Sequence, residues 1–522
     1  MGNNKEFEIK NGVLTGYYGY DSVIEIPDGV TEIRTDKWNG IFTGDLFREF
    51  KVEKIILPSS LRIIGKNAFN GCEWITDIEL HDGIEEIGEA AFRNCKRLKS
   101  ISIPGTVKKI AKEAFDGCDS ITELIIPKGV EILGSISSCA RLEKIIIPKS
   151  TTSIAEEYGR RGEYFLANCP KIKTIEVADG NPIYHTLNNC LIETKRRVLI
   201  SGGINSKIPE DGSVTELGAV AFTGREIKGS FVIPEGIEKI GFYAFKDCTN
   251  LEEIVFPRTI QYCDACAFEN TSIKKVYAQD AESWCRISFW RYEGSKKSNP
   301  LNRGAELFFG NEVVNDLIIP NGIKRLGACT FSGCTSISSV TIPNTVKFIG
   351  RYTFANCDNL KSIYIDSLEA WLNITFESSC GESLGNPLCN GGTLYIAGAP
   401  VKELSLPESI TEIPDYSFCN YKKLKKVYLH DGLKAIGKYS FAGSTMLSMN
   451  CKNGWGVSKI PKSLTPLSII INKKNTKNEI VEKIVASVGW TNNLQALKII
   501  TGKDIDYGKY DSFVINGVYF AQ

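Results

Sequence analysis

Cys263-Asp264-Ala265-Cys266 places two thiols three residues apart, a spacing that can hold zinc or exchange a disulfide. It has no second pair and no strand–helix–strand pattern before it, so neither a zinc site nor a thioredoxin-like centre has its usual frame. Gly381-Glu382-Ser383-Leu384-Gly385 has the form of a hydrolase nucleophile elbow. Such an elbow needs a strand before it, a helix after it and a histidine downstream. Here Asn386-Pro387 follows at once, and His430 is the only later histidine. His81 and His430 both occur in Leu-His-Asp-Gly and read as strand-end residues, while His185 has no nucleophile beside it. Asn270-Thr-Ser and Asn373-Ile-Thr satisfy the glycosylation triplet and read as chance matches. No glycine-rich phosphate loop and no His-Glu-x-x-His occurs. These residues predict no catalytic site, no metal site and no cofactor.

Composition narrows the partners. The chain has 522 residues, with 62 Lys+Arg against 61 Asp+Glu, a formal charge of +1. Nucleic-acid binding needs a clustered basic excess, so it is not expected. Apolar residues make up 43% and charged residues 24%, which fits a folded soluble protein. No apolar run approaches the roughly 20 residues of a membrane span. The start, Met1-Gly2-Asn3-Asn4-Lys5-Glu6, shows no secretory leader, and Glu6 spoils the myristoylation pattern. Together with 17 cysteines that need not pair, this points to the cytoplasm. Display at the cell surface, or secretion by a signal-independent route, is the alternative.

The chain repeats. Phe69, Phe92 and Phe115 lie at intervals of 23, as do Phe222, Phe245 and Phe268, then Phe331/Phe354 and Phe418/Phe441. Cys72, Cys95, Cys118, Cys139, Cys169, Cys248, Cys334 and Cys357 hold one position in the unit. Prolines such as Pro104, Pro127, Pro234, Pro257, Pro320 and Pro343 hold another. In one unit Ile101 and Ile103 alternate with Ser100 and Ser102, a strand with its isoleucines inward. Pro104 ends that strand, Val107 and Ile110 return, Ala114-Phe115 fill the interior, and Gly117-Cys118 turn into the next unit. No turn can bury its apolar residues alone, so stacking is required. The reading is a leucine-rich repeat solenoid, α/β-type and strand-rich, of about 15 turns. A stacked row of cysteines then suits small buried side chains with a weak donor. In the same register Cys263 replaces the inward Ile240.

Leu-x-x-Ile-x-Ile-Pro-x-x-Val-x-x-Ile-Gly-x-x-Ala-Phe-x-x-Cys resembles the BspA-type leucine-rich repeat family. Ile55-Ile56-Leu57-Pro58 through Ala68-Phe69-Asn70-Gly71-Cys72 carries the likeness well, and so does Phe231-Val232-Ile233-Pro234 through Ala244-Phe245-Lys246-Asp247-Cys248. Residues 20 to 450 are covered. The turn around Val130 to Cys139 departs, being two residues short and without Ala-Phe; the unit after Leu424 ends in Gly443-Ser444 with no cysteine. The resemblance implies protein binding or adhesion, often at microbial surfaces, and brings no catalytic motif.

These patterns divide the chain. An N-terminal cap is expected over 1–26, with a hairpin turning at Asn11-Gly12. A first repeat run covers 27–276 and includes an irregular stretch near 178–208. A Trp-bearing insertion over 277–310 precedes a second run over 311–365, and a second insertion over 366–400 precedes the last repeats over 401–450. Both insertions reach an Asn-Pro-Leu, at Asn299 and Asn386. Residues 451–522 form a C-terminal cap, with strands at 467–471, 497–500 and 513–515 and an amphipathic helix at 477–488.

The outward face of the strand ladder is the first candidate surface. It carries Ile56, Ile125, Ile146, Val255, Tyr277, Ile318, Tyr364 and Tyr428, which suit partner contact; β-branched and aromatic residues also simply suit strands. Trp284, Trp290 and Trp371 are the second candidate, as a recognition edge or as packing over the solenoid. The expected function is non-catalytic binding of another protein, with an adhesin for host protein or glycan as the alternative. An enzyme or redox protein using Cys263/Cys266 or the irregular segments is the competing class. Elemental analysis of the purified chain is expected to find no stoichiometric zinc; one zinc per chain would make Cys263 and Cys266 a site.

Overall fold

A turn that alternates apolar and polar residues over three or four positions can bury one side only against copies of itself. The computed structural model shows those copies stacked. It describes residues 6–37, 40–42, 51–155, 164–289, 298–377, 385–424, 435–437 and 440–441. Backbone strands are also described at 426–429, 468–471, 499–501, 512–515 and 518–521. The chain divides into two units, Met1–Ile273 and Lys274–Gln522.

In the first unit the hairpin Phe7–Lys10/Val13–Tyr17 caps a ladder of two-residue parallel strands. Asn11 and Gly12 take positive φ at its turn, 52° and 77°, as an Asn-Gly hairpin requires. The ladder runs through Glu32–Ile33, Ile63–Ile64, Glu86–Ile87, Lys109–Ile110, Ile132–Leu133 and Ser153–Ile154. One residue of each pair (Ile33, Ile64, Ile87, Ile110, Leu133, Ile154) is fully buried. Glycines let these turns close up: a Cβ on Gly88 would lie 2.7 Å from the Gly65 carbonyl carbon. A second ladder uses longer strands, including Lys54–Ile56, Glu123–Ile125, Lys144–Ile147 and Thr174–Val177. In each, alternate side chains enter the core, as with Ile55, Leu124, Ile145 and Ile175.

The third side holds the aromatic spine. Phe42, Phe69, Phe92 and Phe115 stack with ring centroids 5.5, 5.2 and 5.5 Å apart, and Phe222, Phe245 and Phe268 form a second stack. Phe69, Phe92, Phe222 and Phe245 are placed by a hydrogen bond between turns. Phe69 N donates to Ala91 O at 2.7 Å, Phe92 N to Ala114 O at 2.8 Å, and Phe222 N to Ala244 O at 2.7 Å. The repeat cysteines finish the accounting, since the carbonyls of Phe69, Phe92, Phe115, Phe222 and Phe331 each take a thiol from the next turn. Cys95, Cys118 and Cys248 Sγ donate to Phe69, Phe92 and Phe222 O at 3.2, 3.1 and 3.0 Å. Burial pushes these thiols up in pKa, so they stay protonated donors. A protonated thiol sealed this way is inert in either compartment, so the cysteines are no evidence for the cytoplasm.

Irregular turns keep the same accounts with other donors. At the turn short by two residues, the Asp116 carboxylate accepts from Ser137 N at 2.6 Å and Ser137 Oγ at 2.7 Å. Where the hairpin strands Tyr184–Leu187, Cys190–Glu193 and Val198–Gly202 interrupt the repeat, Arg225 stands at the cysteine position. Its Nη1 donates to Leu166 O at 2.7 Å, the same repeat carbonyl that a cysteine would reach, and to Cys169 O and Thr223 O. Nε donates to Gly202 O at 2.9 Å and Nη2 to Ser201 Oγ at 2.9 Å. The guanidinium is fully buried, and that burial lowers its pKa.

In the second unit the expected insertions turn out to be turns of the solenoid. Ser288–Phe289 and Thr375–Phe376 are short-ladder strands; the latter pairs with Phe348–Ile349. Glu306–Phe309 and Thr393–Ile396 are long-ladder strands, paired with Lys275–Ala278 and Ser362–Ile365. Among the described residues, α-helix is confined to α1 (Ala281–Arg286) and α2 (Leu368–Leu372) within these turns. The expected C-terminal cap also departs from expectation, because Ser468–Ile471 and Ile499–Thr501 continue the long ladder from Lys426–Leu429. Ser512–Ile515 forms a hairpin with Val518–Ala521, and the helix expected at 477–488 lies outside the described residues.

Phe92→Ala removes a ring from the middle of the first stack and should cost about 3–5 kcal/mol in urea unfolding. A loss under about 1 kcal/mol would show that the spine does not support its neighbours. Burial raises the Asp116 carboxyl to about 6 from its ordinary 3.8; Glu113 pushes the same way, against Ser137 and Arg93. The folded chain therefore favours protonated Asp116, and its stabilising contribution fades as pH rises from about 4 through 6. Asp116→Asn should remove that decline from the stability–pH curve, and curves that stay parallel across the window would contradict it.

Candidate binding face

Inward residues of each long strand are fixed by the core, so the outward ones are fixed in turn, at a spacing set by the ladder. In the second unit Asp316–Ile318, Ser339–Ile342, Ser362–Ile365 and Thr393–Ile396 pair in parallel, and Ala399–Pro400 folds back antiparallel on the last. Register places Ile318, Thr341, Tyr364, Tyr395 and Pro400 in one outward row. Ile318 is 66% exposed. Tyr364 and Tyr395 are half-buried and stack with centroids 4.8 Å apart. Beside this row runs a polar one of Asp316, Ser339, Ser362 and Thr393, in which Ser339 Oγ donates to Asp316 Oδ1 at 2.6 Å. A second aromatic pair, Tyr277 and Phe308, sits 4.8 Å apart next to Val313.

Both aromatic pairs belong to a Trp turn, and those turns share one construction 87 residues apart. Asp280 and Ser367 cap the two helices through Ser283 N and Ala370 N. Trp284 and Trp371 then point into the core, both fully buried. These turns lack the phenylalanine whose N–H serves the next turn, and side chains replace it. Trp284 Nε1 and Asn299 Nδ2 both donate to Thr330 O at 3.0 Å. Trp371 Nε1 and Asn386 Nδ2 donate to Ser417 O at 3.0 and 3.3 Å. Each asparagine also accepts from the N–H two residues on, Leu301 or Leu388, at 2.9 Å, which starts the 3-10 turn leading to the second aromatic strand.

Trp284 and Trp371 are therefore corrected from recognition residues to core residues, because their indole N–H completes the hydrogen bonding between turns. Trp290 lies outside the described residues. Ile56 and Ile125 are exposed on the first unit's ladder, at 42% and 54%, and Ile146 and Val255 are half-buried there. Tyr277 is half-buried on the second unit's ladder. Tyr428 lies on Lys426–Leu429, opposite Ser405 and Ile470. Phe308, Tyr395 and the 61%-exposed Val232 were not singled out from sequence. The alternation in Glu306-Leu307-Phe308-Phe309 and Thr393-Leu394-Tyr395-Ile396 was the available signal for two of them.

The chemical candidates among the described residues sit at structural positions. Cys263 is buried on a ladder strand opposite Ile240, and Cys266 takes the left-handed turn position with φ 54°, as Tyr243 does one turn earlier. His81 Nε2 bonds Pro58 O at 2.9 Å and His185 Nδ1 bonds Thr194 Oγ1 at 2.8 Å. His430 and residues 381–384 lie outside the described residues. Among the described residues no group of three or more His, Cys, Asp or Glu is placed to hold a metal ion. No helix among them is long and apolar enough to cross a membrane.

Comparison with known proteins agrees with the repeat. The BspA type leucine rich repeat region matches residues 41–173, 205–294, 303–383 and 395–480, more than half of the chain. A leucine rich cell surface protein from Faecalibacterium prausnitzii A2-165 is similar at 22% identity and TM-score 0.41, over 70% of this chain and 94% of that one. A leucine-rich repeat protein from Bacteroides ovatus ATCC 8483 is similar at 21% identity and TM-score 0.40, over 89% and 91%. Another from Eubacterium ventriosum ATCC 27560 is similar at 17% identity and TM-score 0.35, over 85% and 94%. No curated protein matches the chain. The recurring phenylalanine spine, the cysteine position and the strand–proline turn are the marks of that repeat, and the chain belongs to the BspA-type leucine-rich repeat family.

Proposed function

We propose that the chain is a non-catalytic binding protein that holds a protein partner on the outward face of its long-strand ladder. The row Ile318, Thr341, Tyr364, Tyr395 and Pro400 forms the centre of that contact. The observation that supports this reading is the continuity of the row. Exposed apolar residues scattered singly mean little, but here exposed Ile318 and Pro400 lie in ladder register with Thr341 and two half-buried, stacked tyrosines, which makes a contiguous strip. Tyrosine gives a large contact area at small entropic cost, and its hydroxyl keeps a polar edge for the partner. The adjacent Asp316, Ser339, Ser362 and Thr393 add hydrogen-bonding groups along the rim. The strip is presented by strands whose inward neighbours Leu317, Val340, Ile363 and Leu394 are buried, so binding orders little backbone.

The test is capture from the lysate and surface fraction of the source organism, with wild type and a Tyr364→Ala/Tyr395→Ala variant compared side by side. The captured protein should bind the variant about thirtyfold more weakly, a loss of about 2 kcal/mol, while the unfolding temperature stays unchanged. Undiminished binding by the folded variant would remove this face as the contact surface.

A further inference from the structure

The two Trp turns share another contact, and there their chemistry differs. In the first, Asn302 on the 3-10 turn Pro300–Arg303 meets Ser332 of the following turn, whose hydroxyl donates to Asn302 Oδ1 at 3.5 Å. The positions 87 residues on are Cys389, on the 3-10 turn Pro387–Asn390, and Cys419. Cys389 Sγ lies 3.9 Å from Cys419 O and 3.7 Å from Asn420 Nδ2, and the two thiols hydrogen-bond each other. The cysteines of the repeat column behave otherwise, because Cys95, Cys118, Cys248 and Cys357 each donate to a phenylalanine carbonyl. Cys139 and Cys169 also approach each other, but both are sealed in the core. Cys389 is half-buried and Cys419 is buried.

We propose that Cys389 and Cys419 are a modification site: a hydroperoxide converts them to a reversible disulfide that clips the second Trp turn to the turn after it. Turns in a parallel ladder are about 4.8 Å apart, inside the 4.4–6.8 Å Cα range of a disulfide. That repeat distance is compatible with a bond between side chains on adjacent turns. The hydrogen bonds from the Cys419 thiol and the Asn420 amide favour the Cys389 thiolate, while the same bond and burial hold the proton on Cys419. With hydrogen peroxide, the Cys389 thiolate attacks one peroxide oxygen. An S–O bond forms, the O–O bond breaks, and hydroxide leaves to become water. The Cys419 sulfur then attacks the sulfenic sulfur; the S–S bond forms, the S–O bond breaks, and a second water carries off the Cys419 proton. The two thiols lose two electrons and the peroxide gains them. The clip closes four residues before Thr393–Ile396, the strand that carries Tyr395.

The experiment treats the intact chain with hydrogen peroxide, alkylates remaining thiols after unfolding, and maps peptides without reduction. A Cys389–Cys419 linked peptide is expected while Cys72, Cys95, Cys118, Cys139, Cys169 and Cys248 remain alkylated, and dithiothreitol should reverse the link. Cys419→Ser, which copies Ser332 of the first Trp turn, should leave Cys389 as a sulfenic acid that dimedone captures. Cys389 remaining reduced, Cys389 linking to Cys380 or Cys451, or Cys139 and Cys169 oxidising first would each overturn the assignment.

Discussion

The regular turns of this solenoid depend on one hydrogen bond to their neighbours: the phenylalanine N–H of one turn donates to the carbonyl before the phenylalanine of the next. The bond from Phe92 N to Ala114 O in the first unit recurs from Phe331 N to Thr353 O in the second. It sits inside the core, away from water, where an unpaired carbonyl costs about 1–3 kcal/mol. The constraint therefore outlives the sequence pattern that usually meets it. Where the phenylalanine is missing, another donor must arrive from the same direction. Gly202 N serves Ala221 O beside the hairpin, and Trp284 with Asn299, then Trp371 with Asn386, serve Thr330 O and Ser417 O.

The same constraint bears on the outward face of the long-strand ladder. Side-chain donors serve the longer turns, and the long strands stay in register across both Trp turns. The extra length becomes a strand and a hairpin at the ladder, ending in Val313 or Pro400 beside an aromatic pair. Irregularity in the core and opportunity at the surface are thus the two ends of one turn.

Much of this was legible in sequence. The interval from Phe69 to Phe92 names the spine, Ile101 and Ile103 name the inward strand face, and Asn11-Gly12 names the capping hairpin. Local chemistry settles those features, so local patterns report them. The Trp turns were harder, because counting in steps of 23 fails inside a longer turn and makes it look like an insertion. Their 87-residue self-similarity, with Trp284 over Trp371, Asn299 over Asn386 and Phe308 over Tyr395, was present but concerns one turn in several. Arg225 could be placed by aligning Phe222-Thr-Gly-Arg225 with Phe245-Lys-Asp-Cys248. Its partner Gly202 lies one 23-residue interval back, whereas Leu166, 59 residues back, comes from a segment that the repeat spacing does not connect.

Arg225 is the most direct place to test the constraint, since one side chain there carries the hydrogen bonding of an interrupted turn. Arg225→Met keeps an unbranched apolar stem and removes every donor. Urea unfolding should then show a loss of about 3 kcal/mol or more, from several buried carbonyls left unpaired. A methionine variant as stable as the wild type would contradict the account, because the core would then tolerate the unpaired carbonyls that the rest of the fold is built to avoid.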